Sequence, residues 1–248
     1  MLRRDRLIFL IGLIAVTGLA WAWLLMGAGM GMSAFEMTAM AGMDGWLMPP
    51  AEWTAGYALI MASMWTVMMA AMMLPSALPV LLLHLKLHKR AGETAWFALG
   101  YVAAWAGFSL LAAGLQWALE TARLMSPMLE TTNVWLGAAI LVAAGLWQLT
   151  PLKAVCLRHC RSPLGFLMGR WRTGAAGAFR SGLEHGVYCL GCCWFLMALL
   201  FVGGVMNIYW IVGLTVFVLL EKTAPFGHLL GRVAGVALIV CGLALPVL

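Results

Sequence analysis

Charge is scarce along this chain: only 10% of its 248 residues are Asp, Glu, Lys or Arg, where a soluble domain carries roughly a quarter. With 64% of residues apolar and a mean hydropathy of +0.97, no water-soluble fold could bury the apolar surface on offer. Carboxylates are rarer still, and no pair of them falls in the middle of an apolar run, which removes the usual basis for proton-coupled transport. The sequence has no glycine-rich nucleotide fingerprint, so ATP-driven pumping by this chain alone is not expected. It also lacks a serine or cysteine hydrolase arrangement, an internal repeat, and any stretch long enough for a separate soluble domain. Binding or handling of a ligand is therefore expected in preference to catalysis.

What is present is a series of apolar runs. They predict an all-α, polytopic transmembrane bundle of about seven spans, at 7–26, 54–83, 94–119, 134–149, 185–202, 208–220 and 229–245, or six if the short sixth run does not cross. Fourteen of the fifteen Lys and Arg residues then fall on one side of the bilayer, Arg123 being the exception. The positive-inside rule makes that side cytoplasmic, so the N-terminus is inside and, with seven spans, the C-terminus outside. This sorting accounts for the net charge of +6, and no nucleic-acid partner is implied. The basic start resembles a signal peptide, but its apolar run is too long and no clean small-residue cleavage site follows, so it is expected to remain as an anchor. The whole chain, 1–248, is one integral membrane domain in contact with the lipid bilayer. Two connections are too long to be turns: an outer segment at 27–53 and an inner segment at 150–184.

Soft sulfur ligands are abundant, with 19 Met and six Cys beside five His. The outer segment holds Met30, Met32, Met37, Met40 and Met43, with Met26 and Met48 at its margins. A thioether needs no deprotonation and forms no disulfide, so on an oxidising face it suits capture of Cu(I); flexible packing at the membrane surface is the alternative reading. In the second span Met61, Met64, Met68 and Met72 recur at helical spacing, with Met69 and Met73 on the same side, making a ladder that runs from the outer segment inward. Such a stripe is also what an ordinary core looks like. Pro75 and Pro79 are expected to kink its lower end, and His84 and His88 beyond them to form a solvated basic turn, with an i, i+4 pair of metal ligands as the alternative.

Thiols gather on the opposite side. Cys156, His159 and Cys160 lie within one face of a short helix in the inner segment, and His185, Cys189, Cys192 and Cys193 share an arc at the start of the fifth span. This pattern predicts a metal or redox site, with Lys153, Arg158 and Arg161 as its supporting cations. Cys241, alone in the seventh span, is expected to be packing. Glu184, His185 and the pair Glu221 and Lys222 are functional candidates because ionisable groups at membrane depth are costly, although they could also be end-of-helix charges.

Three segments, MMAAMMLPS at 68–76, LWQLTPLKAVCLRHCRSP at 146–163 and SGLEHGVYCLGCCWFLM at 181–197, resemble the bacterial family described as predicted metal-binding integral membrane proteins. The resemblance covers most of the chain from the second span onward. It implies residence in the bacterial inner membrane and marks Met68, Met72, Met73, Cys156, Cys160, Cys189, Cys192 and Cys193 as metal-associated. The leading expectation is a protein that captures, relays or delivers Cu(I) to a periplasmic or membrane copper protein. Zinc, or no metal at all, fits a thiol cluster too. A thiol-disulfide electron carrier using Cys189 and Cys192, and a structural subunit of a membrane complex, are the alternatives.

Overall fold

The computed structural model describes residues 2–40, 52–88, 90–126, 129–169 and 172–247. Among these residues eleven α-helices follow in order: α1 Leu2–Leu25, α2 Ala34–Met40, α3 Ala55–His88, α4 Ala91–Thr121, α5 Val134–Leu149, α6 Pro151–Arg161, α7 Pro163–Gly169, α8 Gly174–Ala198, α9 Leu200–Gly203, α10 Ile208–Thr223 and α11 Gly227–Ala244. No β-strand occurs among the described residues. Among the described residues five single spans are long and apolar enough to cross a membrane: α1, α3, α4, α8 continued by α9, and α11. A sixth appears if α5 and α6, bent by 65°, count as one. At 16 residues α10 rises only about 24 Å, less than the roughly 30 Å hydrocarbon core, so length alone does not support the expected sixth span or the count of seven.

Close backbone approach explains the tightest contact, that of α4 with α8. A Cβ at Gly182 would collide with the Phe97 carbonyl, and one at Gly100 with the Phe179 carbonyl, so glycine at both positions lets the two helices touch main chain to main chain. The same small residues account for a difference from the expected boundaries. The apolar pattern starts the fifth span at 185, whereas α8 begins at Gly174, because 174–184 folds as helix against α4 although it is not strongly apolar. Similarly α3 does not end at 83 but continues to His88 through both prolines. Pro75 leaves the Ala71 carbonyl without its helical donor, and Trp21 Nε1 of α1 supplies one at 3.2 Å.

The inner segment is not a loop. Thr150 adopts extended geometry, as a residue before proline must, and its Oγ1 caps α6 by accepting from the Lys153 N–H at 3.2 Å, with Pro151 in the first turn. That junction turns α6 away from the α5 axis and lays it along α8. Arg161, at the other end of α6, donates to the Glu221 carbonyl at 2.6 Å and to the Ala224 carbonyl at 2.7 Å, closing the C-terminus of α10. The outer segment holds α2, whose start is a capping box: Ser33 N–H and hydroxyl both donate to Glu36 Oε2 at 2.7 Å, and the Glu36 N–H returns to Ser33 Oγ at 3.2 Å.

Candidate metal centre

On α8 the spacing i, i+3, i+4 places Cys189, Cys192 and Cys193 on one buried face, and both Cys192 and Cys193 point their thiols at the Cys189 carbonyl at 3.0 Å. α6 lies across that face and contributes Cys160. The sulfurs of Cys160, Cys189 and Cys192 all lie within 4.8 Å of one another, the one group of three or more Cys, His or carboxylate ligands that close among the described residues. With metal–sulfur bonds of about 2.3 Å, sulfurs sharing an ion stand roughly 4 to 4.6 Å apart. Small movements bring the three thiols to that separation.

The surroundings are polar in a way the spacing did not foretell. Lys222 of α10 is buried and donates to Cys189 Sγ at 2.9 Å and to Ser76 Oγ at 2.9 Å. Tyr101 of α4 places its hydroxyl 3.0 Å from the same sulfur and 3.2 Å from the Met73 carbonyl, to which it donates. Lys222 of α10 and Tyr101 of α4 thus meet Cys189 directly, and Ser76 and the Met73 carbonyl of α3 hold those two groups from behind. The cation at the thiols is Lys222, not the expected Lys153, Arg158 and Arg161: Lys153 pairs with Glu221, and Arg161 caps α10. Tyr101 and Ser76 were missed altogether. Their only sequence signal was a hydroxyl inside an apolar run, which has to find a partner when buried.

The other candidates take separate places. Cys193 is buried beside the cluster without joining the three-sulfur group, and Cys156 packs on Gly191, where an added Cβ would lie 2.6 Å from its sulfur. His159 stacks on Tyr188 with ring centroids 4.0 Å apart and bonds the Val155 carbonyl through Nδ1. His185 is buried among the Phe97, Tyr101 and Phe166 rings, and its Nδ1 has no hydrogen-bond partner. Glu184 is an ion-pair residue, 2.9 Å from Arg172 and 3.5 Å from Arg180. Glu221 and Lys222 do not act as a pair, since each turns to a different partner. His84 and His88 correct the solvated-turn expectation: His84 is buried, stacks on His88 at 4.2 Å and sits 2.9 Å from Thr94 Oγ1. Cys241 is exposed on α11 instead of packed.

The α3 thioethers are buried, a condition that a ladder and an ordinary core share. Met61, Met64, Met68, Met69, Met72 and Met73 are all fully buried along α3, and the Met61 sulfur accepts from Gln116 Nε2 at 3.3 Å. In the outer segment Met37 is buried, Met30, Met32 and Met40 are partly exposed, and Met43 lies outside the described residues.

Residues 62–245 match the PpoB2 family, described as copper chaperone. The chain belongs to this copper chaperone family. No curated protein and no solved structure matches it. The copper chaperone match takes in all six cysteines and the ladder from Met64 down, and it leaves out α1, α2 and the outer methionines. The family and the three-thiol cluster agree in pointing to copper.

Proposed function

We propose that this copper chaperone spans the bacterial inner membrane and holds one Cu(I) ion on Cys160, Cys189 and Cys192, passing it to a membrane or periplasmic copper protein. The observation that carries this reading is the convergence of three thiols from two helices within 4.8 Å. An all-sulfur donor set with no carboxylate among it suits Cu(I) above zinc, which more often shares its sites with imidazole or water. Charge supports the same assignment. Cu(I) on three thiolates carries a net charge of −2, and the Lys222 ammonium at Cys189 offsets one unit of it, which lowers the cost of the loaded site in an apolar surround. The α3 methionines lead towards this site, since the Met73 carbonyl and Cys189 share the Tyr101 hydroxyl. In this reading they pass Cu(I) from the methionine end to the thiol end, with Met30, Met32, Met37 and Met40 as first contacts.

Purified full-length protein is expected to retain close to one copper per chain under reducing conditions, measured by elemental analysis. Cys189→Ser should lose it, while Cys241→Ser should keep it. Full copper occupancy in the Cys189→Ser protein would overturn the site. Thiol trapping that finds a Cys189–Cys192 disulfide forming and breaking in copper-free protein would favour the electron-carrier reading instead, since those sulfurs are also near enough to bond after a small shift.

A further inference from the structure

At the end of the α3 methionine stripe farthest from the thiols lies a polar cluster that the copper centre does not use. Gln116 of α4 is fully buried there, and both N–H groups of its amide are taken: Nε2 donates to Met61 Sδ at 3.3 Å and to Glu120 Oε1 at 2.7 Å. Trp65 Nε1, which can only donate, meets Gln116 Oε1 at 2.7 Å and so fixes which end of the amide faces the sulfur. Glu120 stands one turn further along α4, and its other oxygen accepts from Trp53 Nε1 at 2.7 Å. Met61 and Gln116 are closed to solvent, whereas Glu120 and Trp53 are partly exposed, so the cluster runs from the protein surface to a buried thioether.

Two electron-pair donors, a thioether and a carboxylate oxygen, thus converge on one electropositive group, which is how donors surround a bound cation. An ion in the place of Gln116 Nε2 would bond sulfur at about 2.3 Å and oxygen at about 2.1 Å, shortening each contact by about 1 Å or less. Charge gives the carboxylate its purpose. Thioethers select Cu(I) by softness but bring no charge, so an ion held by methionines alone keeps its whole positive charge in an apolar surround, at high cost. The thiolates meet that cost at their own end of the stripe. At this end Glu120 can meet it, because both groups that donate to it, the Gln116 amide and the Trp53 indole, are neutral and leave its negative charge unbalanced.

We propose that Glu120 and Met61 form an entry site for Cu(I) at the head of the ladder, with the Gln116 amide as a placeholder that the ion displaces. The proposal rests on the relay part of the proposed function and does not require the thiol centre. To test it, full-length protein carrying methyl-labelled methionine is placed in nanodiscs and titrated with Ag(I), a redox-stable stand-in for Cu(I), while the methionine methyl resonances are followed by NMR. Met61→Leu assigns the Met61 signal. The first equivalent of Ag(I) fills the thiols and the next should shift Met61; if the thiols hold no metal, Met61 shifts with the first, which separates failure of the metal centre from failure of the entry site. Glu120→Gln keeps the shape and removes the charge, and it should weaken Ag(I) binding at Met61 by about tenfold or more, as loss of a group supporting a metal site does. Gln116→Leu, which removes the placeholder, should leave that binding as tight as before or tighter. A Met61 signal that stays fixed while Met64 or Met68 moves, or equal affinity in Glu120→Gln, would overturn the site. Loss of Met61 binding in Gln116→Leu would make the amide a ligand and overturn its role as placeholder; should that variant fold poorly, Glu120→Gln still decides the site.

Discussion

Cys189 is the residue on which the centre turns. Its sulfur meets a lysine amine and a tyrosine hydroxyl, and its carbonyl meets two further thiols. Lys222 offsets one unit of the site's charge, so Lys222→Met, similar in length and uncharged, should weaken Cu(I) affinity roughly 10- to 100-fold, as loss of groups supporting a metal site does. Competition against a chromophoric Cu(I) chelator measures this. Tyr101→Phe removes one hydrogen bond and no charge, so its loss of affinity should be smaller than that of Lys222→Met in the same titration. The thiols were legible from their spacing on α8, because residues i, i+3 and i+4 share a face in any helix. Lys222 was legible only as a costly charge. Which sulfur it would serve depends on how α10 docks, and nothing local to residues 221–222 encodes that.

At the scale of elements, the decisive feature is the junction that lays α6 along α8. Thr150 caps it, and Thr150→Ala should cost about 1 kcal/mol of thermal stability and loosen Cys160 from its partners. A calorimetric scan with and without Cu(I) checks both parts, since a looser site gains less from the metal. Gly182→Val would drive α8 off α4 and should destabilise the chain by about 1 to 3 kcal/mol or more, the cost of overpacking. The ladder in α3 separates two readings of the same stripe. Replacing Met64, Met68 and Met72 together by Leu conserves volume and should cost little stability. If the thioethers conduct Cu(I), loading of proteoliposomes from the methionine side should slow several-fold, measured by copper accumulation at the thiols; if they only fill the core, loading will not change. Helical periodicity cannot tell these apart, because a stripe facing a ladder and a stripe facing a core have the same 3.6-residue repeat.

For the molecule as a whole, the proposed function requires the outer methionines on one side of the membrane and the thiols towards the other. Its orientation is open to direct measurement: Ser33→Cys should react with an impermeant maleimide on intact cells, and Ser162→Cys only after permeabilisation. Whether the number of crossings is odd or even follows from the side on which residues near 245 are labelled, an odd count placing them outside.

The sequence alone determined that the chain is helical and apolar, that its thiols form a cluster, and that its methionines line one face of α3. These properties depend on composition and on the fixed 3.6-residue repeat, and both are local. Only tertiary structure decided that Cys160 joins Cys189 and Cys192 while Cys156 and Cys193 do not, that Lys222 and Tyr101 converge on one sulfur, and that Glu221 turns to Lys153. Those outcomes follow from a bend at Thr150 and from glycine contacts between α4 and α8, which set distances between residues far apart in the chain.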